Sequence, residues 1–188
     1  MNTHLLPALR LLLVATFLLP AVPAAAIEAG PYLSGQLGYS KPVGGCAALP
    51  AAAACKEGAA LLRFDLGYRF DRFFAAEVGY ADLGNLLQSG GNKVKATAVE
   101  AVGKIYIPFG ERLSMHYLLG ATRIDLKRSG GVAAGSAYLR GKAGAGIDWA
   151  MGRDVALLAE VATCSRVGDA ATGRFRPLTL SAGAAIGF

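Results

Sequence analysis

Beyond its first 26 residues the sequence lacks any apolar run near the roughly 20 residues that a membrane-crossing helix requires, so a helical membrane protein is excluded. Cysteine is scarce, with 3 in 188 residues, and none forms a CxxC or a His-Cys cluster at metal-ligand spacing. That removes zinc sites, and no cofactor motif replaces them. A net charge of +6 and a pI near 9.4 come without a nucleic-acid-binding motif, so no nucleic-acid partner is expected.

What is present divides at Ala26. Residues 1–26 have a short polar start with Arg10, the apolar run LLLVATFLLPAVP and the small residues Ala24, Ala25 and Ala26. Basic, apolar and small-residue regions in that order read as a secretory signal peptide, cleaved after Ala26. Residues 27–188 then read as one domain. The chain is 54% hydrophobic with 25 glycines, although its apolar residues are dispersed. Dispersed apolar content is what a membrane barrel shows, because lipid-facing and lumen-facing residues alternate along each strand.

The alternation is plainest in LLRFDLGYRF, residues 61–70. Leu62, Phe64, Leu66, Tyr68 and Phe70 share one face, and Arg63, Asp65, Gly67 and Arg69 share the other. The same period of two recurs at 32–40, 74–81, 97–107, 113–121, 139–149, 155–162 and 178–188, giving eight candidate strands. Connections at 71–72, 108–112 and 150–153 are short. Those at 41–59, 82–96, 127–137 and 165–176 read as long loops. Short turns at one end and long loops at the other predict an all-β fold, an eight-stranded antiparallel up-and-down transmembrane β-barrel with both termini at the short-turn end. Tyr68, Phe70, Phe73, Phe74, Tyr106, Phe109, Trp149 and Phe188 fall near the short turns and read as one aromatic girdle; Tyr39, Tyr80 and Tyr138 read as the other.

The inward rows carry Arg63, Arg69, Lys104, Arg140 and Lys142 against Asp65, Glu77, Glu100, Asp148 and Glu160. An interior of eight strands is just wide enough to be filled by side chains, and charges confined there must pair. A salt-bridged plug is therefore expected rather than an aqueous pore. The surplus cations, Lys41, Lys56, Lys93, Lys95, Lys127, Arg128, Arg166 and Arg174, are assigned to loops and rims. There they would face outer-membrane lipid and lipopolysaccharide, or simply water. Cys46 and Cys55 flank an Ala-rich stretch; either they form a disulfide or all three thiols stay reduced.

GYRFDRFFAAEVGYADLG, KIYIPFGERLSMHYLLGA and GKAGAGIDWAMGRDVALLAEV resemble the outer-membrane β-barrel family typified by the OmpA transmembrane domain. The matching positions are Gly67-Tyr68, Glu77-Val78-Gly79-Tyr80, Gly144-Ala145-Gly146-Ile147-Asp148-Trp149 and Glu160. The resemblance implies localisation in the outer membrane of a Gram-negative cell. It also implies that the terminal AAIGF, ending in Phe188, is an assembly signal read by the outer-membrane insertion machinery. No peptidoglycan-binding segment is expected after Phe188, and the Ala-rich first loop departs from the family pattern, so its surface ligand stays unnamed.

Barrels of this architecture that deacylate lipid A use a His-x-Ser pair with an acidic partner on the lipid-facing side near the outer leaflet. Ser114-Met115-His116 has the reverse order, points inward and lies next to a short turn, so no enzyme is expected. The favoured role is structural, in envelope integrity. A narrow porin-like channel and a loop-mediated adhesin are the alternatives.

Overall fold

The computed structural model describes residues 29–45, 56–89, 92–129, 134–168 and 174–188. The expected signal peptide and the Cys46–Cys55 pair lie outside these residues. Eight long strands make up the described chain: β1 (Gly30–Val43), β2 (Ala59–Arg69), β3 (Phe74–Ser89), β4 (Asn92–Phe109), β5 (Leu113–Ser129), β6 (Ala134–Ala150), β7 (Val155–Cys164) and β8 (Arg176–Gly187). Each pairs antiparallel with its neighbour in sequence, and β1 pairs with β8, Leu37 opposite Ala182, so the sheet closes into a barrel. A two-residue strip, Lys56–Glu57, pairs with Leu87 and Gln88 of β3.

Closure leaves no free edge, which an element crossing hydrocarbon requires. Leu33, Phe64, Leu66, Val78, Val99, Ile105, Leu119, Leu139, Leu180 and Ile186 all point outward and are exposed. In water such a continuous apolar wall could not stand unpartnered; in a bilayer it is the solvated face. The short turns are locally specified. Asp71 Oδ1 accepts the N–H groups of Phe73 and Phe74 at 2.7 and 2.8 Å, and Gly110 supplies the positive φ (+77°) of the β4–β5 turn. Tyr68, Phe70, Phe74, Phe109, Trp149 and Phe188 form the exposed girdle at this end. Tyr106, expected with them, points into the lumen and is buried under the Arg69 guanidinium, 4.0 Å from its ring centre.

The loop end departs from the expected layout. Most of 82–96 and 127–137, expected as loops, is strand: β3 runs to Ser89, β4 begins at Asn92, β5 runs to Ser129 and β6 begins at Ala134. Two register shifts in β3, between Asp82 and Gly84 and between Asn85 and Leu87, break the alternation there. Gly84 takes a φ of +70°, and at the second shift Leu86 and Leu87 are both buried. Strands β3 to β6, at 16 to 18 residues, therefore make one side of the barrel taller than the other.

Candidate functional site: the charged lumen

The inward rows stack into three layers. At the loop end Leu61, Leu83, Leu86, Leu87, Val94, Ile124 and Leu126 form an apolar cluster. Val167 and Phe175, bridged to each other in the β7–β8 connection, pack into the same cluster and extend it as a cap at the loop end of the lumen. Toward the short turns Tyr32, Ala75, Tyr106, Ala156, Leu158 and Ala185 form a second apolar layer. Most of the charged residues occupy the space between, while Arg69 and Asp148 lie at the short-turn mouth.

Arg63 of β2 is the hub. Its Nε lies 2.8 Å from Asp65 Oδ1 and 3.4 Å from Glu100 Oε2, and its Nη2 lies 3.6 Å from Glu77 Oε2. Its Nη1 donates to Glu160 Oε1 of β7, on the far side of the β1–β8 seam. Lys104 of β4 reaches Glu77 Oε1 at 2.8 Å and Glu160 Oε2 at 3.3 Å, and Lys142 of β6 donates to Glu100 Oε2. Tyr32 Oη donates to Glu77 Oε1 at 2.7 Å, and Ser34 Oγ to Asp65 Oδ2 at 3.0 Å. Ser181 of β8 donates to Gln36 Oε1 of β1 at 2.7 Å. All eight strands thus contribute a buried polar side chain. In a low-dielectric interior each ion must find such partners, because an unpaired one costs several kcal/mol.

His116 of β5 links this hub to the short-turn mouth. Its Nε2 lies 3.4 Å from Glu160 Oε2; its Nδ1 faces Asp148 Oδ1 at 2.9 Å, off the hydrogen-bonding axis. Asp148 Oδ2 in turn lies 3.8 Å from Arg69 Nη2. A cavity of about 310 Å³ at this mouth is lined by Arg69, Arg72, Arg112, Glu111, Ser114 and Asp148.

Of the ten charges expected inside, the structure places nine together in the lumen and sets Arg140 apart. Arg140 is half-buried at the loop end, donating to the carbonyl oxygens of Arg166 and Leu139 and stacking on Tyr138. The buried set is then four cations (Arg63, Arg69, Lys104, Lys142) and five anions (Asp65, Glu77, Glu100, Asp148, Glu160). His116, which was not among the charges expected inside, is buried between two of those anions. Its signal was present: His116 has inward parity and lies directly opposite Tyr106 and Gly146. Cys164, the one described cysteine, is a buried free thiol in the loop-end cap. Phe188 is exposed on the outer wall, its N–H donated to Pro31 O at 3.1 Å across the closing seam.

A protein-family model described as outer membrane protein beta-barrel domain matches residues 11–188. Among solved structures, Neisserial surface protein A is similar at a TM-score of 0.68 and 15% identity, over 85% of this chain and 98% of that one. The N-terminal β-barrel domain of Pseudomonas aeruginosa OprF is similar at a TM-score of 0.59 and 10% identity, over 86% and 100%. The outer membrane protein OprG of Pseudomonas aeruginosa is similar at 0.56 and 10%, over 88% and 99%. At these identities the likeness is one of fold. No curated protein matches the sequence.

Proposed function

We propose that this chain, which belongs to the outer membrane protein β-barrel domain family, is a closed structural barrel of the bacterial outer membrane, and that its lumen is a brace rather than a conduit. The observation that carries this reading is the layering of the lumen. An ion crossing it would have to displace the Arg63 guanidinium from four carboxylates and then pass the cap formed by Val167, Phe175 and their apolar neighbours. Both barriers oppose hydrated ions, the first by competition for charge and the second by dehydration.

The same geometry argues against hydrolysis. Ser114 lines the short-turn mouth and His116 is two residues away on the same face, but both imidazole nitrogens face carboxylates. Neither is left to accept a proton from a serine hydroxyl, which is the first requirement of an activated nucleophile. A protonated His116 would bring the buried set to five cations and five anions, so its role in this reading is charge balance.

Planar-bilayer recording of the refolded chain, begun at Ile27 and checked for heat-modifiable migration, tests the proposal. The expected record is silent at all voltages. Discrete, reproducible openings from demonstrably folded protein would replace the brace with a narrow channel gated by the Arg63 hub.

A further inference from the structure

The short-turn end of the lumen holds a cavity of about 310 Å³ that lies outside the Arg63 hub. Three arginines from three segments line it: Arg69 at the end of β2, Arg72 in the β2–β3 turn and Arg112 in the β4–β5 turn. The backbone fixes both turns. The Asp71 carboxylate pins the one that carries Arg72, and the Arg112 carbonyl accepts the Ala150 N–H at 2.8 Å, tying its turn to the end of β6. Arg69 is the buried member, only 6% exposed, and its guanidinium lies over the Tyr106 ring. A ring face attracts the charge but offers no oxygen to its N–H donors. Arg69 Nε is buried without a hydrogen-bond partner. Asp148 Oδ2 stays 3.8 Å from Nη2, beyond hydrogen-bond reach. A buried donor left unmet is costly, and an acceptor entering the cavity removes that cost.

The charge balance selects the sign of that acceptor. Arg72 and Arg112 are exposed and have no ion-pair partner among the described residues. Two carboxylates share the lining, Glu111 and Asp148, and Asp148 Oδ1 already lies 2.9 Å from His116 Nδ1. Guanidiniums therefore outnumber carboxylates, in a recess where charge is felt more strongly than at an open surface. Shape narrows the class further. A planar carboxylate meets one guanidinium fork side-on, while a tetrahedral phosphate offers oxygens to several forks from different directions. The volume is about ten times the share of one water molecule in the liquid, more than a bare phosphate fills. The rest of the lining includes Pro108, Ala150 and Ala156, which suit a short organic substituent.

We propose that the short-turn mouth binds the phosphate group of a small soluble molecule, with Arg69 as the buried contact and Arg72 and Arg112 reaching it from the turns. The apolar layer that contains Tyr106 and Ala156 is the floor of the site. The proposal rests on the barrel reading and on its outer-membrane setting, which puts the short turns, and so the ligand, on the periplasmic side. It is independent of whether the lumen conducts.

Isothermal titration calorimetry of the folded barrel, begun at Ile27 and held in phosphate-free maltoside micelles, tests this. The titrants are inorganic phosphate, glycerol 3-phosphate and acetate, at a pH above about 7, where a phosphate monoester is close to dianionic. Both phosphates should bind saturably and about tenfold or more tightly than acetate. The tighter of the two names the source, free or organic phosphate. R72Q/R112Q, which alters only exposed turn residues, should weaken binding about tenfold or more while keeping heat-modifiable migration. R153Q, in the remaining short turn and outside the cavity lining, should bind as the native chain does. The Arg69 Nε–H resonance should shift on saturation, which diffuse attraction to the turns would not produce. Lack of saturable binding, or acetate bound as tightly as phosphate, overturns the proposal. So does unchanged affinity in R72Q/R112Q, equal loss in R153Q, or an unmoved Arg69 resonance. Loss of heat-modifiable migration in the native chain would instead overturn the barrel reading itself.

Discussion

Arg63→Met is the perturbation that the lumen geometry makes most informative. The substitution keeps an unbranched apolar stem and removes the guanidinium that meets Asp65, Glu77, Glu100 and Glu160. Its partners are not equally orphaned. Glu77 and Glu160 keep Lys104, and Glu100 keeps Lys142. Asp65 keeps only neutral donors, Ser34 at 3.0 Å and Gln36 at 3.5 Å. Removing one partner of a buried ion pair costs about 3–5 kcal/mol, because the remaining charge is stranded in low dielectric. With a urea dependence of roughly 2 kcal/mol per molar, the unfolding midpoint should fall by about 2 M. Unfolding in lipid vesicles, read as the fraction of the compact electrophoretic band at each urea concentration, measures it. Asp65→Asn in the same background removes the stranded charge and should restore more than half of the lost midpoint. A fall of less than about 0.3 M in Arg63→Met, near the noise of such extrapolations, would refute the hub. So would a double variant that is less stable than Arg63→Met alone.

Three further outcomes follow from other parts of the barrel. Leu66 faces lipid between Leu33 and Val78, so Leu66→Arg should cost about 2–4 kcal/mol if it lies near the midplane, and normal insertion yield would count against the assigned parity. Gly67 lies opposite Tyr32, and a Cβ there would land inside the tyrosine ring; Gly67→Ala should displace Tyr32 from Glu77 and cost about 1–3 kcal/mol, checked by urea midpoint and by additivity with Tyr32→Phe. Deleting Phe188 should slow assembly in vivo, because its ring lies on the outer wall and its N–H closes onto Pro31; pulse-chase folding at the native rate would remove that role.

The membrane-crossing part of the fold was legible because its physical rule is simple. A lipid face and a filled lumen impose opposite demands on successive residues, so Leu62 to Phe70 can be assigned to faces without any tertiary information. The rule fails where lipid ends. Above the apolar band both faces can be polar or apolar, and the register shifts around Gly84 desynchronise β3, so Leu83, Leu86 and Leu87 looked like loop residues. The charge set was legible as a set but not in its membership. Parity puts Arg140 inside, yet its position at the upper end of the lumen lets it reach solvent and the Arg166 carbonyl. His116 was read as inward-facing but left out of the charge set, since nothing local announces that two carboxylates from β6 and β7 converge on it. Tyr106 was misread because nearness to a short turn was allowed to outweigh parity.

The cross-lumen contacts also set the order in which the chain can become stable. Arg63 and Glu160 lie on β2 and β7, and Gln36 and Ser181 on the first and last strands, so neither contact exists in a flat or partly curled sheet. Until β8 meets β1 these contacts are unmade, and the charges they hold still carry the desolvation cost of unpaired buried ions. The cross-seam contacts therefore register closure: they are gained together when the first and last strands join, not strand by strand.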